Sequence, residues 1–284
     1  MNFLVLGCNG MAGHIISIYL SERGHKVTGY ARTQSNFVKT IIGDVTDTKQ
    51  LEKAIVEGKY DSVINCVGLL NQFAENNHSG AALINSYIPH FLADVTSEMD
   101  TQIIHMSTDC VFSGKRGGYT EGDLRDGTSF YDRSKALGEI VDSKNVTLRQ
   151  SVVGPDIKPS GIGLLNWFMK QDGPVQGYLG AIWTGQTTLQ LAKTMERVAE
   201  QRAHGLINAV PNESINKYEL LKLFNQYIRK NQIEIEAVDK VVADKSLLRT
   251  NYEYDLIIPG YKQMISELGD WMRAHRELYP HYDI

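Results

Sequence analysis

The sequence predicts an α/β protein, with a doubly wound parallel sheet in its first part and a smaller, mixed C-terminal part. Three observations predict it: apolar runs of strand length alternate with segments of helical periodicity, those runs are apolar on both faces, and glycines cluster between the first strand and the first helix. Strands buried on both sides and separated by helices are the pattern of a parallel sheet covered on two faces.

Phe3–Leu6 reads as a strand and Met11–Leu20 as a helix, its apolar residues recurring at helical spacing. The order repeats with a strand at His25–Tyr30, a helix at Asp47–Val56, a strand at Ser62–Cys66, a helix at Gly80–Thr96 and strands at Gln102–Ser107 and Val146–Ser151. Pro155, Pro159, Gly161 and Gly163 then punctuate the chain and mark the expected boundary. This divides the protein into residues 1–155, to which about 186–210 return, and a smaller part over 156–284. In the second part the periodicity predicts helices at Gly163–Lys170, Thr188–Gln201, Lys217–Lys230 and Tyr261–Glu277, and a short strand at Leu206–Val210.

The 284 residues carry 29 basic and 33 acidic side chains, a net charge of -4. That balance offers no general attraction to nucleic acid or anionic lipid, so neither is expected as a partner. Cys8, Cys66 and Cys110 have neither paired nor metal-ligand spacing, and the histidines form no metal-spaced cluster; no disulfide framework and no metal are expected. The N-terminus lacks the basic leader of a secretory signal, and no apolar stretch approaches the ~18 residues of a membrane span, so a soluble cytoplasmic protein is expected.

Gly7, Gly10 and Gly13 form G-x-x-G-x-x-G directly after the first strand. A backbone that turns sharply and approaches a pyrophosphate closely has no room for side chains, and a helix N-terminus offers free N–H groups to phosphates. This placement predicts a Rossmann-type dinucleotide site lined by Gly7, Asn9, Gly10, Met11, Ala12 and Gly13. The second strand ends near Arg32, where an NAD site usually places an acid; arginine suits a 2′-phosphate and points to NADP, with NAD as the alternative. Asp44, with Val45 beside it, stands just ahead of the helix at Asp47–Val56 and either accepts from the adenine amino group or serves as a helix N-terminal acid.

The strand at Gln102 ends in Ser107-Thr108-Asp109, on the carboxyl edge where open α/β sheets bind ligands. Tyr131 follows Thr108 by 23 residues, across a segment containing Gly114, Gly117 and Gly118. In a helix, Tyr131 and Lys135 share a face one turn apart. An ammonium beside a phenol favours the phenolate and brings its pKa from ~10 toward neutrality, which would make Tyr131 a proton relay while the Thr108 hydroxyl holds a carbonyl oxygen. The same spacing at Tyr218 and Lys222 has no glycine turn or Ser-Thr strand end near it and is read as structural.

These residues resemble the extended short-chain dehydrogenase/reductases, and within them the dTDP-4-dehydrorhamnose reductase family. The resemblance rests on Gly7-x-x-Gly10-x-x-Gly13, on Ser107 to Gly114 with Tyr119, Glu121 and Asp123 behind it, on Tyr131-x-x-x-Lys135 and on Leu148-Arg149. It implies a catalytic triad of Thr108, Tyr131 and Lys135, with Tyr131 as acid and Lys135 also holding the nicotinamide ribose. Cys66, Val67 and Gly68 would line the cofactor, and Thr108, Asp109 and Cys110 the substrate. Cys110 stands where family members often carry tyrosine and dehydratase relatives glutamate, which favours carbonyl reduction over water elimination. Trp183, in a segment similar to the family's substrate-side loop, is a candidate for stacking on a base or sugar. The implied activity is NADPH-dependent reduction of a nucleotide-linked 4-keto-6-deoxy sugar. An epimerase using bound cofactor and a non-catalytic dinucleotide-binding regulatory subunit are the rival readings; a homodimer is compatible with the aromatic residues Trp271 and Tyr279 to Tyr282.

Overall fold

The computed structural model describes residues 1–284. The first half runs β1 (Asn2–Leu6), α1 (Met11–Glu22), β2 (Lys26–Ala31), β3 (Lys39–Ile42), α2 (Thr48–Gly58), β4 (Ser62–Asn65), α3 (Asn71–Asn76), α4 (His78–Ala81), α5 (Ile88–Val95), β5 (Gln102–Met106), α6 (Phe130–Leu137) and β6 (Val146–Arg149). The second runs β7 (Ser151–Val153), α7 (Leu164–Met169), β8 (Val175–Tyr178), β9 (Ala181–Trp183), β10 (Gly185–Thr187), α8 (Thr188–Glu200), β11 (Gly205–Asn208), β12 (Ile215–Asn216), α9 (Lys217–Tyr227), β13 (Ile235–Val238), β14 (Ala243–Asp244) and α10 (Tyr261–Ala274).

Seven strands form one sheet in the order β11-β6-β5-β4-β1-β2-β3, with every pairing parallel. The apolar character on both faces has a direct cause in the pleat. Phe3 and Val5 of β1 enter one core cluster together with α1 and α8, while Leu4 and Leu6 enter a second with α2 and α5. The chain leaves β1 for β2 on one side and later returns to β4 on the other. The crevice between the ends of β1 and β4 is therefore the switch point at which such sheets bind ligands.

The helix expected over Gly80–Thr96 is interrupted. Between α4 and α5 the residues Ala82–Tyr87 form a π-helical turn. Pro89 lies four residues after Asn85 and has no N–H to give the Asn85 carbonyl, so the regular ladder cannot close there. The freed carbonyl packs instead against Gly138, where an added Cβ would come within 1.9 Å of it.

Around this sheet the rest of the chain builds three small sheets, β10-β7, β12-β9-β14 and β13-β8, together with α7, α9 and α10. The segment from β10 to β11 crosses back to the large sheet: α8 packs along α1, and β11 pairs with β6. One core cluster of 43 residues runs through both parts, from Phe3 to Ile284. No helix is long and apolar enough to cross a membrane.

Candidate active site

The glycine turn sits at the switch point. Gly7 has φ +78°, and a Cβ there would lie 3.1 Å from Val67 Cγ2; a Cβ on Gly13 would overlap the Gly7 carbonyl oxygen at 2.2 Å. Glycine is therefore required at both, the first for its backbone and the second so that α1 can seat against the turn. Gly10 is the exposed N-cap of α1, with no side-chain cap, which leaves the first-turn N–H groups of Met11, Ala12 and Gly13 to the crevice. A turn without side chains in front of an uncapped helix N-terminus fits a dinucleotide pyrophosphate.

Asn9 Nδ2 donates to Thr33 O at 2.9 Å and to Thr33 Oγ1 at 3.2 Å, tying the turn to the loop after β2. Arg32 is exposed on that loop. The N–H of Thr46 holds the Asp44 carboxyl below the usual carboxylate range, and the Arg32 charge adds to this, so Arg32 and Asp44 share one rim of the crevice. Val45, expected to line the site, is buried in the second core cluster and supports the rim from below. Cys66, Val67 and Gly68 continue from β4 as a half-buried edge facing the turn.

At the end of β5, Ser107 Oγ donates to Glu139 Oε1 at 2.7 Å. Glu139 is clasped by Arg149 through bonds of 2.9 and 2.8 Å and by Arg125; the Glu139 and Arg149 side chains are fully buried. Burial alone would raise the Glu139 pKa, but the Arg149 guanidinium holds it below the carboxylate range. The network fixes β5, α6 and β6 together beside Thr108. The Thr108 hydroxyl accepts from Cys110 N–H and donates to Asp109 Oδ1, both at 3.1 Å.

Tyr131 and Lys135 lie on α6, whose start is set by a capping box between Ser129 and Asp132. Glu75 of α3 accepts the Tyr131 backbone N–H at 3.0 Å. The phenol of Tyr131 is buried near Thr108; burial pushes its pKa well up, and Thr108 opposes the shift. Lys135 Nζ donates to the Met106 carbonyl at 2.6 Å, and burial lowers its pKa to about 8. The expectation that Lys135 draws the phenol toward neutrality is therefore corrected. Burial is the largest cause of the shift and Lys135 is not among the groups that oppose it, so Tyr131 keeps its proton at neutral pH.

Two participants lay outside the sequence reading. Asn85 in the π-helical turn accepts from Leu69 N–H at 2.8 Å, donates to Leu69 O at 2.9 Å and donates to Ser134 Oγ at 3.1 Å, so it pins the loop after β4 to α6. Its signal was Pro89 inside an otherwise helical run. Lys217, at the start of α9, has its pKa lowered to about 8 by burial and lies close enough to Asp109 for that charge to oppose the shift. No local motif announces it.

Trp183 is corrected in the other direction. It is only 4% exposed, packs on Tyr261 at 5.6 Å between ring centroids and is covered by Lys217 at 5.0 Å, so its ring belongs to the core and not to an open stacking surface. Tyr218 and Lys222 lie on α9, where Lys222 pairs with Glu219 on an exposed face. His25, Glu196 and Glu200 bring ligand-type atoms within 4.8 Å, but Glu196 is already engaged by Arg23, His25 and Tyr19.

Residues 1–161 match the family described as the RmlD substrate binding domain. The chain belongs to this family. Among curated relatives, a probable low-salt glycan biosynthesis reductase, Agl14, of Haloferax volcanii is 36% identical over 143 residues, 49% of this chain and 48% of the relative. A dTDP-4-dehydrorhamnose reductase of Mycobacterium tuberculosis is 30% identical over 142 residues, 48% of this chain and 43% of that one. The chain thus spans about half the length of the curated relatives it matches. A crystal structure from Sulfolobus tokodaii, described as a hypothetical dTDP-4-dehydrorhamnose reductase, superposes with a TM-score of 0.75 at 25% identity, covering 92% of this chain and 98% of that one. The RmlD-family assignment and this superposition agree with the seven-stranded parallel sheet and its smaller C-terminal part.

Proposed function

We propose that the chain reduces a nucleotide-linked 4-keto-6-deoxy sugar with NADPH, NADH being the alternative. The observation that carries this reading is that Thr108 at the end of β5 and Tyr131 on α6 lie close enough to interact, with Lys135 one helical turn on anchored to the Met106 carbonyl. Gly7 to Gly13 would hold the pyrophosphate, Arg32 and Asp44 the adenosine end, and Val67 and Gly68 the nicotinamide half. A reduced nicotinamide bound there supplies hydride to a carbonyl carbon. Thr108, turning its one O–H from Asp109 Oδ1 to the carbonyl, orients that oxygen, and Tyr131 gives it a proton that burial keeps in place at neutral pH. Lys135 spends one N–H on Met106 O, which leaves two for the ribose hydroxyls.

The Cys110 thiol, pushed up to about 12 by burial and by Asp109, is neutral and supplies no acid/base group for dehydration. Membership in the RmlD family and the reductase names of the relatives in Haloferax and Mycobacterium support the same chemistry.

The test is NADPH oxidation against a panel of dTDP-, UDP- and GDP-linked 4-keto-6-deoxy sugars. Stoichiometric oxidation with one of them is expected. Cofactor binding without oxidation by any of them would favour the epimerase or the non-catalytic regulatory subunit.

A further inference from the structure

The geometry points to Lys217 as a specificity-determining residue that reads the phosphate-bearing part of the substrate. The inference rests on the nucleotide-sugar reading above. Lys217 is the first residue of α9, held there by Asn216, whose side chain accepts the Glu219 N–H at 2.8 Å. It borders a cleft of about 540 Å³ in the C-terminal part, walled by Leu164, Trp167, Tyr178 and Leu221, with the amides of Gln171 and Gln176 on its rim. Lys217 is the one charged residue on that wall.

Its position joins two environments. On one side is the cleft, whose aromatic and aliphatic walls and two amides suit a nucleobase. On the other is Asp109, whose charge acts on Lys217 and also on Tyr131. A nucleotide sugar is itself a linear series of base, diphosphate and sugar. With the base in the cleft and the keto sugar at Tyr131, the diphosphate falls at Lys217.

The energetics favour an arriving anion. The Lys217 ammonium sits over the Trp183 ring at 5.0 Å and makes no salt bridge, Asp109 included. A largely desolvated cation without an ion-pair partner gains more from a phosphate than a solvated surface lysine does. Lys245 also acts on Asp109, a second cation near the same carboxyl.

The experiment compares wild type with Lys217→Met, Lys217→Arg and the double variant Lys217→Met/Asp109→Asn. Calorimetry measures dTDP and UDP binding, and the Michaelis constants for NADPH and for the nucleotide sugar are taken from turnover. Lys217→Met is expected to weaken nucleoside diphosphate binding and raise the sugar Michaelis constant roughly ten- to a hundredfold, the range for losing a hydrogen bond to a charged group. The NADPH constant should stay within about twofold, and Lys217→Arg should recover part of the loss, because a guanidinium also makes charge-assisted bonds to phosphate. Unchanged diphosphate binding in Lys217→Met overturns the inference while leaving the reductase reading intact. Recovery in the double variant also overturns it, since Lys217 would then serve only to balance Asp109. If wild type binds neither diphosphate and oxidises NADPH with no sugar, the nucleotide-sugar reading fails and the inference with it.

Discussion

The His14 imidazole stands 2.7 Å from the Tyr279 hydroxyl, although 265 residues separate them. The other ring nitrogen lies 2.9 Å from the Gly10 carbonyl of the glycine turn. A carbonyl can only accept, so Nδ1 carries the proton and Nε2 accepts from Tyr279. Tyr279 thus braces the backbone of the glycine turn through a neutral histidine.

Burial lowers the His14 pKa from 6.5 to about 4. The histidine is neutral in both native and unfolded chains above pH 6.5. Between 6.5 and 4 the unfolded chain binds a proton that the native chain refuses, so stability falls as pH falls across that window, by on the order of 3 kcal/mol in all. Urea midpoints measured from pH 7 to pH 4 should show a shallower decline in His14→Gln than in wild type; parallel curves would mean that His14 is not the group responsible. Tyr279→Phe removes the donor to a buried nitrogen and should cost ~1–3 kcal/mol at pH 7.

Tyr131→Phe keeps the ring volume and removes the proton. Turnover should fall ~10²- to 10⁴-fold, the usual worth of a positioned acid, while NADPH affinity by fluorescence titration changes little. Near-normal turnover would remove the proton-donor role.

Arg149→Met leaves Glu139 buried with the partly exposed Arg125 as its only ion-pair partner and Ser107 as its only other donor. Breaking one side of a buried pair should cost ~3–5 kcal/mol at pH 7 in a denaturation curve. The wild-type Glu139 pKa lies below 4.5, so its stabilising contribution is present above that value and is lost as pH falls through the native pKa. In the variant, protonation relieves the stranded carboxylate instead. The stability gap should therefore narrow as the pH is taken from 7 to 4, and a constant gap would argue against a charge-based role.

Arg32→Ala removes the exposed cation beside Asp44. The ratio of Michaelis constants for NADPH and NADH should shift about tenfold toward NADH, the scale of one lost charge-assisted contact. An unchanged ratio would show that Arg32 does not read the 2′-phosphate.

Much of the frame was legible in the residues alone. Apolar runs on both strand faces are caused by helices on both sides of the sheet, and Gly7 and Gly13 stand where a Cβ would collide with Val67 or with the turn's own carbonyl. Both signals are local. Tyr131 and Lys135 were legible for the same reason, since one helical turn fixes their shared face. The π-helical turn at Asn85 was marked in the sequence by Pro89, although nothing local reveals that its side chain would grip Leu69 and Ser134.

What only the tertiary structure decided are the meetings across the fold and the sign of the electrostatics. Lys217 comes near Asp109, and Tyr279 bonds His14 on α1, only once the C-terminal part has packed against the first; contacts between distant segments leave no periodicity to read. The phenol of Tyr131 was expected to be drawn down by Lys135 and is instead pushed up by burial, while Trp183 lies in the core. Sequence lists which charges and rings are present, but desolvation depends on what surrounds each one, and that is settled only when the chain has packed.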